Sequence, residues 1–149
     1  MGWIDNDADD VVEMIGAWRP GPLGSEGAYE DALYTYISNK LGKGHVARRQ
    51  FWAANSRADI LIDFGDDDPK VAVELKADLT DRNEYHRVLG QMWTYATDCE
   101  CDAVLVLCCK CDPALVKLAE EYVEFLNDHL PLERKVKMVA LPVAQVEAA

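Results

Sequence analysis

At 149 residues, half of them hydrophobic, the chain is long enough to bury a core as one domain. Its formal net charge of −12 argues against a protein that coats nucleic acid with a broadly basic surface. No apolar run approaches the roughly 18 residues of a membrane span, and the acidic start lacks the basic region and apolar core of a secretory signal.

The first 24 residues read as an acidic N-terminal arm carrying Asp5, Asp7, Asp9, Asp10 and Glu13, and 25–149 as the core. Within the arm, Asp9 to Ala17 predicts a short amphipathic helix ended before Pro20, with Pro20 to Gly24 as a linker. A second helix is expected over 25–41. Its positions 26, 30, 33, 37 and 41 recur at helical spacing, so Leu33, Ile37 and Leu41 draw Glu26 and Glu30 onto the inward stripe. An inward glutamate needs a partner, which a metal at a nearby strand edge would supply. The competing reading is that Ser25 caps the helix and the acids merely favour its N-terminus. His45 to Ala53 follows as a strand bearing Arg48, Arg49, Phe51 and Trp52. Between Ala32 and Ala58 there is no acid, whereas Lys40, Lys43, Arg48, Arg49 and Arg57 are basic. Such a stripe on an acidic body can bind phosphates locally, and Trp52 beside two arginines could stack on a base.

The most informative stretch is 57–76. Two apolar runs, Asp59 to Phe64 and Val71 to Leu75, flank a turn rich in Gly, Asp and Pro and read as a hairpin. Folded about Asp66 and Asp67, it sets Asp59 almost opposite Glu74, at a Cβ separation of about 4.5–5.5 Å for a directly opposed pair. Glu74 and Lys76 are two apart and share one face of their strand. Two carboxylates that close repel unless a cation sits between them. Mg²⁺, or Mn²⁺, suits the place, because it takes one or two carboxylates and completes its shell with water and phosphate oxygens. Lys76 could then orient the attacking water or neutralise developing charge. The bland alternative is a solvated Glu-x-Lys face.

A third helix is expected over 81–97. Arg87, Gln91 and Tyr95 recur at i, i+4, i+8, so a guanidinium, an amide and a phenol in a row could contact a phosphate backbone. The alternative is a surface stripe with Arg87 paired to Glu84 or Asp98. Asp102 to Cys109 predicts a strand, Pro113 to about Asn127 a helix capped by Asp112, and Lys135 to Pro142 a closing strand beside 102–109. The five cysteines fall within 99–111 as C-x-C and C-C-x-C, not the paired C-x₂₋₄-C of a zinc site. Their odd number without a secretory signal points to a reducing, cytoplasmic setting. The order αβββαβαβ predicts an α/β sandwich, a mixed sheet flanked by helices.

Arg57-Ala58-Asp59, a turn, then Glu74-Leu75-Lys76 resembles the core of the PD-(D/E)XK nuclease superfamily. Glu26 and Glu30 on the preceding helix and Gln91-x-x-x-Tyr95 on the following one extend the likeness over roughly residues 25 to 110. It departs at Ala58, where the name-giving proline would stand. The resemblance implies a restriction-endonuclease-like fold and a Mg²⁺-dependent nuclease acting on DNA. It implies that Asp59 and Glu74, helped by the Leu75 carbonyl, hold the metal, that Lys76 positions the nucleophile, and that Glu30, or Glu26, completes the outer shell. Arg87, Gln91 and Tyr95, together with the basic Arg48, Arg49 and Arg57, are the candidate DNA contacts. A chain this small is expected to dimerise or to work with a partner subunit. Two other readings compete: a nuclease fold that binds nucleic acid without turnover, and an acidic interaction protein that mimics DNA or binds a basic partner.

Overall fold

The computed structural model describes residues 7–53, 56–65, 68–131 and 133–142; the side chains of 50–53 and 56 are not among those described. The elements are α1 (Ala8–Gly16), α2 (Glu26–Lys40), β1 (Val46–Ala53), β2 (Ser56–Asp63), β3 (Val71–Ala77), α3 (Arg82–Thr97), β4 (Asp102–Cys108), α4 (Pro113–His129) and β5 (Val136–Ala140). The result is a mixed α/β fold with one five-stranded sheet in the order β1-β2-β3-β4-β5. β1, β2 and β3 run antiparallel, whereas β3, β4 and β5 are parallel. Parallel neighbours need a crossover, and α3 and α4 provide the two.

Helices cover both faces. On one, Ile60, Ile62, Val71, Val73, Leu75, Val104 and Val106 pack beneath α1 and α2. On the other, Leu61, Ala72, Ala103, Leu105 and Leu107 pack beneath α3 and α4. β4 is buried along its whole length, as expected of a central parallel strand covered on both sides. Each helix starts on an oxygen-bearing side chain that accepts from a free first-turn N–H: Asp7, Ser25, Asp81 and Asp112. Among the described residues no helix is long and apolar enough to cross a membrane.

The acidic arm is corrected in its described part. Ala8, Val11, Ile15 and Trp18 are buried, and α1 packs on β4 and β5. Its acids are anchors. Lys135 Nζ donates to Asp7 Oδ2 and Asp9 Oδ2, both at 2.7 Å. Asp102, 1% exposed, accepts from Ala8 N–H at 3.3 Å and Lys135 N–H at 3.0 Å. One buried carboxylate thus ties the start of α1 to the segment entering β5. The apolar stripe of the expected amphipathic helix is the face that packs.

Candidate active site

The site begins where β2 and β3 part. Their ladder runs Ile62↔Val71, Leu61↔Ala72, Ile60↔Val73 and stops there. Continued, it would set Asp59 against Glu74 and bring the Ala58 carbonyl to the Leu75 N–H. Instead the Asp59 side chain takes that N–H, Leu75 N to Oδ2 at 2.8 Å. Alternation breaks at the same point: Ile60 and Ile62 pack towards α2, yet Ala58 joins the α3 cluster. The strands splay, and a carboxylate fills the gap between them. A strand residue aims its N–H and C=O to the same side, so the Leu75 carbonyl, a candidate metal ligand, faces the gap as well.

Glu74 lies in that opening on the α3 side. It is 4% exposed and Asp59 is 7% exposed. Tyr95 Oη on α3 is 3.0 Å from Glu74 Oε1 and 2.9 Å from the Arg57 carbonyl. A phenol carries one proton, and a backbone carbonyl can only accept. Tyr95 therefore satisfies both when it donates to Arg57 O and Glu74, protonated, donates to it. Burial and the Asp59 charge push the Glu74 carboxyl up to about 8. Burial also raises Asp59, against the opposing pull of the Leu75 N–H and of Lys76. Each of these buried carboxyls feels Lys76, so Asp59, Glu74 and Lys76 share one electrostatic neighbourhood.

Lys76 emerges from β3 between the two helical layers. Its Nζ is 3.4 Å from Glu84 Oε1 on α3 and 3.9 Å from Glu26 Oε2 on α2. Glu84, close to Lys76 in sequence, thus faces it across the gap between β3 and α3. Glu26 also accepts from Ala77 N–H at 2.9 Å, so it fastens α2 to the end of β3. Glu30 sits further in, its carboxyl lifted to about 7 by burial and by the charges of Asp59 and Glu26. Arg49 Nη2 lies 3.9 Å from it. Both helix glutamates therefore border the Asp59–Glu74 opening, along a stripe whose buried members are Tyr29, Leu33 and Ile37.

The row on α3 is corrected. Arg87 is exposed, Gln91 half-buried and Tyr95 1% exposed. Steps of four residues turn a helix by about 400°, so such a row winds by about 40° per step and sinks from solvent into the core. Tyr95 is therefore no surface contact; its phenol braces Glu74. The Gln91 Oε1 atom is buried without a hydrogen-bond partner among the described residues.

The basic stripe is weaker than its composition. Arg49 pairs with Asp31 as well as with Glu30 and lies over the Tyr34 ring, 5.6 Å from its centroid. Arg48 and Arg57 are exposed. The Trp52 side chain and the Asp66-Asp67 turn lie outside the described residues. The cysteines divide between the ends of β4, with Cys99 and Cys101 before it and Cys108, Cys109 and Cys111 at its exit. A strand rises about 3.3 Å per residue, so seven residues keep the two groups too far apart to share a metal.

Among the described residues no three His, Cys, Asp or Glu side chains stand grouped as a metal cage. The Asp59–Glu74 opening does offer the oxygen donors a hard divalent ion uses, in a place where two buried acids resist ionising together. No family model, curated protein or solved structure matches the chain.

Proposed function

We propose that the chain is a metal-dependent nuclease of the restriction-endonuclease-like, PD-(D/E)XK kind, hydrolysing phosphodiester bonds in DNA in the cytoplasm. The observation that carries this reading is the splayed end of β2 and β3. There Asp59 stands in for a backbone acceptor beside buried Glu74, with Lys76 two residues on. Burying two acids side by side costs stability unless something compensates them, and a Mg²⁺ or Mn²⁺ ion held by Asp59, Glu74 and the Leu75 carbonyl is such a compensation. That ion, when bound, would supply an acidified water and a Lewis acid on the scissile phosphate.

The chain's own residues do the rest. Tyr95 holds the Glu74 carboxyl in one orientation. Lys76, steadied by Glu84 and Glu26, lies where an ammonium can orient the nucleophile and offset charge growing on the phosphate. Glu30 and Glu26 are the outer-shell acids. Exposed Arg48, Arg57 and Arg87, with Gln91, are the groups for the DNA backbone, and Arg49 joins them if substrate draws it from Asp31. A homodimer or a partner subunit would enlarge the limited basic surface.

A cleavage panel tests the reading: supercoiled, linear, single-stranded and junction DNA with Mg²⁺ or Mn²⁺, beside Lys76→Ala. Metal-dependent cutting that disappears in the variant supports it. Equal cutting by both proteins, or none on any substrate, counts against it. The net charge of −12 and the neutralised Arg49 favour a second reading, an acidic protein that binds a basic partner. Retention of DNA by the wild type at moderate salt would count against that one.

A further inference from the structure

Beyond that reading, we infer that Cys108 and Cys109 form a dithiol pair that a peroxide oxidises to a vicinal disulfide. Neighbouring residues of a strand point to opposite faces, so adjacent cysteines at a strand end normally hold their sulfurs apart. Here Cys109 takes a positive φ of 70°, which ends the alternation, and its Sγ lies 3.5 Å from the Cys108 Sγ. Left-handed backbone is unfavourable for a residue with a Cβ, and where it persists the surroundings enforce it. The enforcement is visible. Asp78, itself at φ 56°, donates its N–H to the Cys108 carbonyl at 3.2 Å and accepts from Lys110 N–H at 2.8 Å.

The two sulfurs differ in access, which assigns their roles. Cys108 is 3% exposed, within the α2-side core. Cys109 is half-buried and lines two cavities, of about 490 and 280 Å³. The third nearby thiol, Cys111, donates to the Cys108 carbonyl and accepts from Leu79 N–H, each at 3.2 Å, while Cys109 meets the Tyr29 phenol as well as the Cys108 sulfur. Cys109 is therefore the attacking thiol and Cys108 the resolving one. In the first step the Cys109 sulfur bonds to one peroxide oxygen, the O–O bond breaks, and water leaves, giving a sulfenic acid. In the second, Cys108 Sγ attacks the Cys109 sulfur, the S–O bond breaks, and the leaving hydroxide takes the Cys108 proton as a second water. Two thiols and one hydrogen peroxide become one disulfide and two waters.

Closing the pair must draw 3.5 Å down to about 2.05 Å and so turn the backbone of the loop. That loop grips the segment leaving β3: besides the bonds above, Asp112 N–H donates to the Leu79 carbonyl at 2.8 Å. Oxidation is therefore felt at Asp78 and Leu79.

The test treats the full chain with hydrogen peroxide, blocks remaining thiols by alkylation, and maps peptides by mass. The same is done for Cys108→Ala and Cys111→Ala, with circular dichroism confirming each fold. The expected result is a Cys108–Cys109 link in the wild type and in Cys111→Ala, reversed by dithiothreitol. Cys108→Ala should instead accumulate a Cys109 sulfenic acid, trapped by a cyclic 1,3-diketone. Hydrogen exchange at Asp78 and Leu79 should quicken on oxidation of the wild type and not of Cys108→Ala. Alkylatable Cys108 and Cys109 after peroxide, a link through Cys111, or equal diketone trapping in wild type and Cys108→Ala would overturn the inference.

Discussion

Replacing Glu74 by Gln probes the buried acid pair. The Glu74 carboxyl, ordinarily near 4.5, is pushed to about 8 by burial and the Asp59 charge. Its folded-state pKa is raised, so its contribution to stability is fully present below the unfolded pKa and is lost as pH rises through the folded one. Free of divalent metal, the wild type should therefore weaken between pH of about 4.5 and about 8. Each pH unit across that window is worth about 1.4 kcal/mol, so the loss from this group is about 5 kcal/mol at most. Gln cannot ionise, and its amide can donate to Tyr95 Oη while Tyr95 donates to the Arg57 carbonyl. Urea unfolding of both proteins in EDTA, from pH about 5 to about 9, should show their stability difference growing in favour of Gln and levelling above pH about 8. Added Mg²⁺ should restabilise the wild type at the alkaline end and leave Glu74→Gln unmoved. Parallel curves would refute the reasoning, because Glu74 would then titrate alike in folded and unfolded chains.

Tyr95→Phe should lower stability by about 1–3 kcal/mol, the cost of leaving a buried acceptor without its donor, read as a drop in Tm. Asp59→Asn keeps an acceptor for the Leu75 N–H, whereas Asp59→Ala orphans it. Both should lose cleavage, but only Ala should unfold about 1–3 kcal/mol more easily. Asp102→Ala frees the Ala8 and Lys135 amides and should speed hydrogen exchange in α1 well before global unfolding.

The elements were legible where local chemistry is unambiguous. Asp112-Pro113 started α4, Ser25 capped α2, and apolar runs on either side of the Gly, Asp and Pro cluster in 64–70 marked β2 and β3. The register of β2 on β3, which pairs Ile60 with Val73, was legible by counting residues back from that cluster. That the ladder would stop one pair short was not, since the Asp59–Leu75 bond belongs to the folded chain alone. Tyr95 was misread because a spacing of four on a helix looks like one face until its winding is followed over two steps. The amphipathic helix of the arm was legible as α1, but its docking was not, because Asp102 and Lys135, which meet it, lie over ninety residues away in sequence. Arg49 seemed available because Asp31, which neutralises it, lies eighteen residues earlier.

The most direct test is a crystal grown with Mn²⁺ and measured above the manganese absorption edge. An anomalous peak bonded to carboxylate oxygens of both Asp59 and Glu74 is expected, and no such peak in Glu74→Gln crystals. A wild-type crystal soaked to saturation with that opening empty, or with manganese only at surface acids, would contradict it.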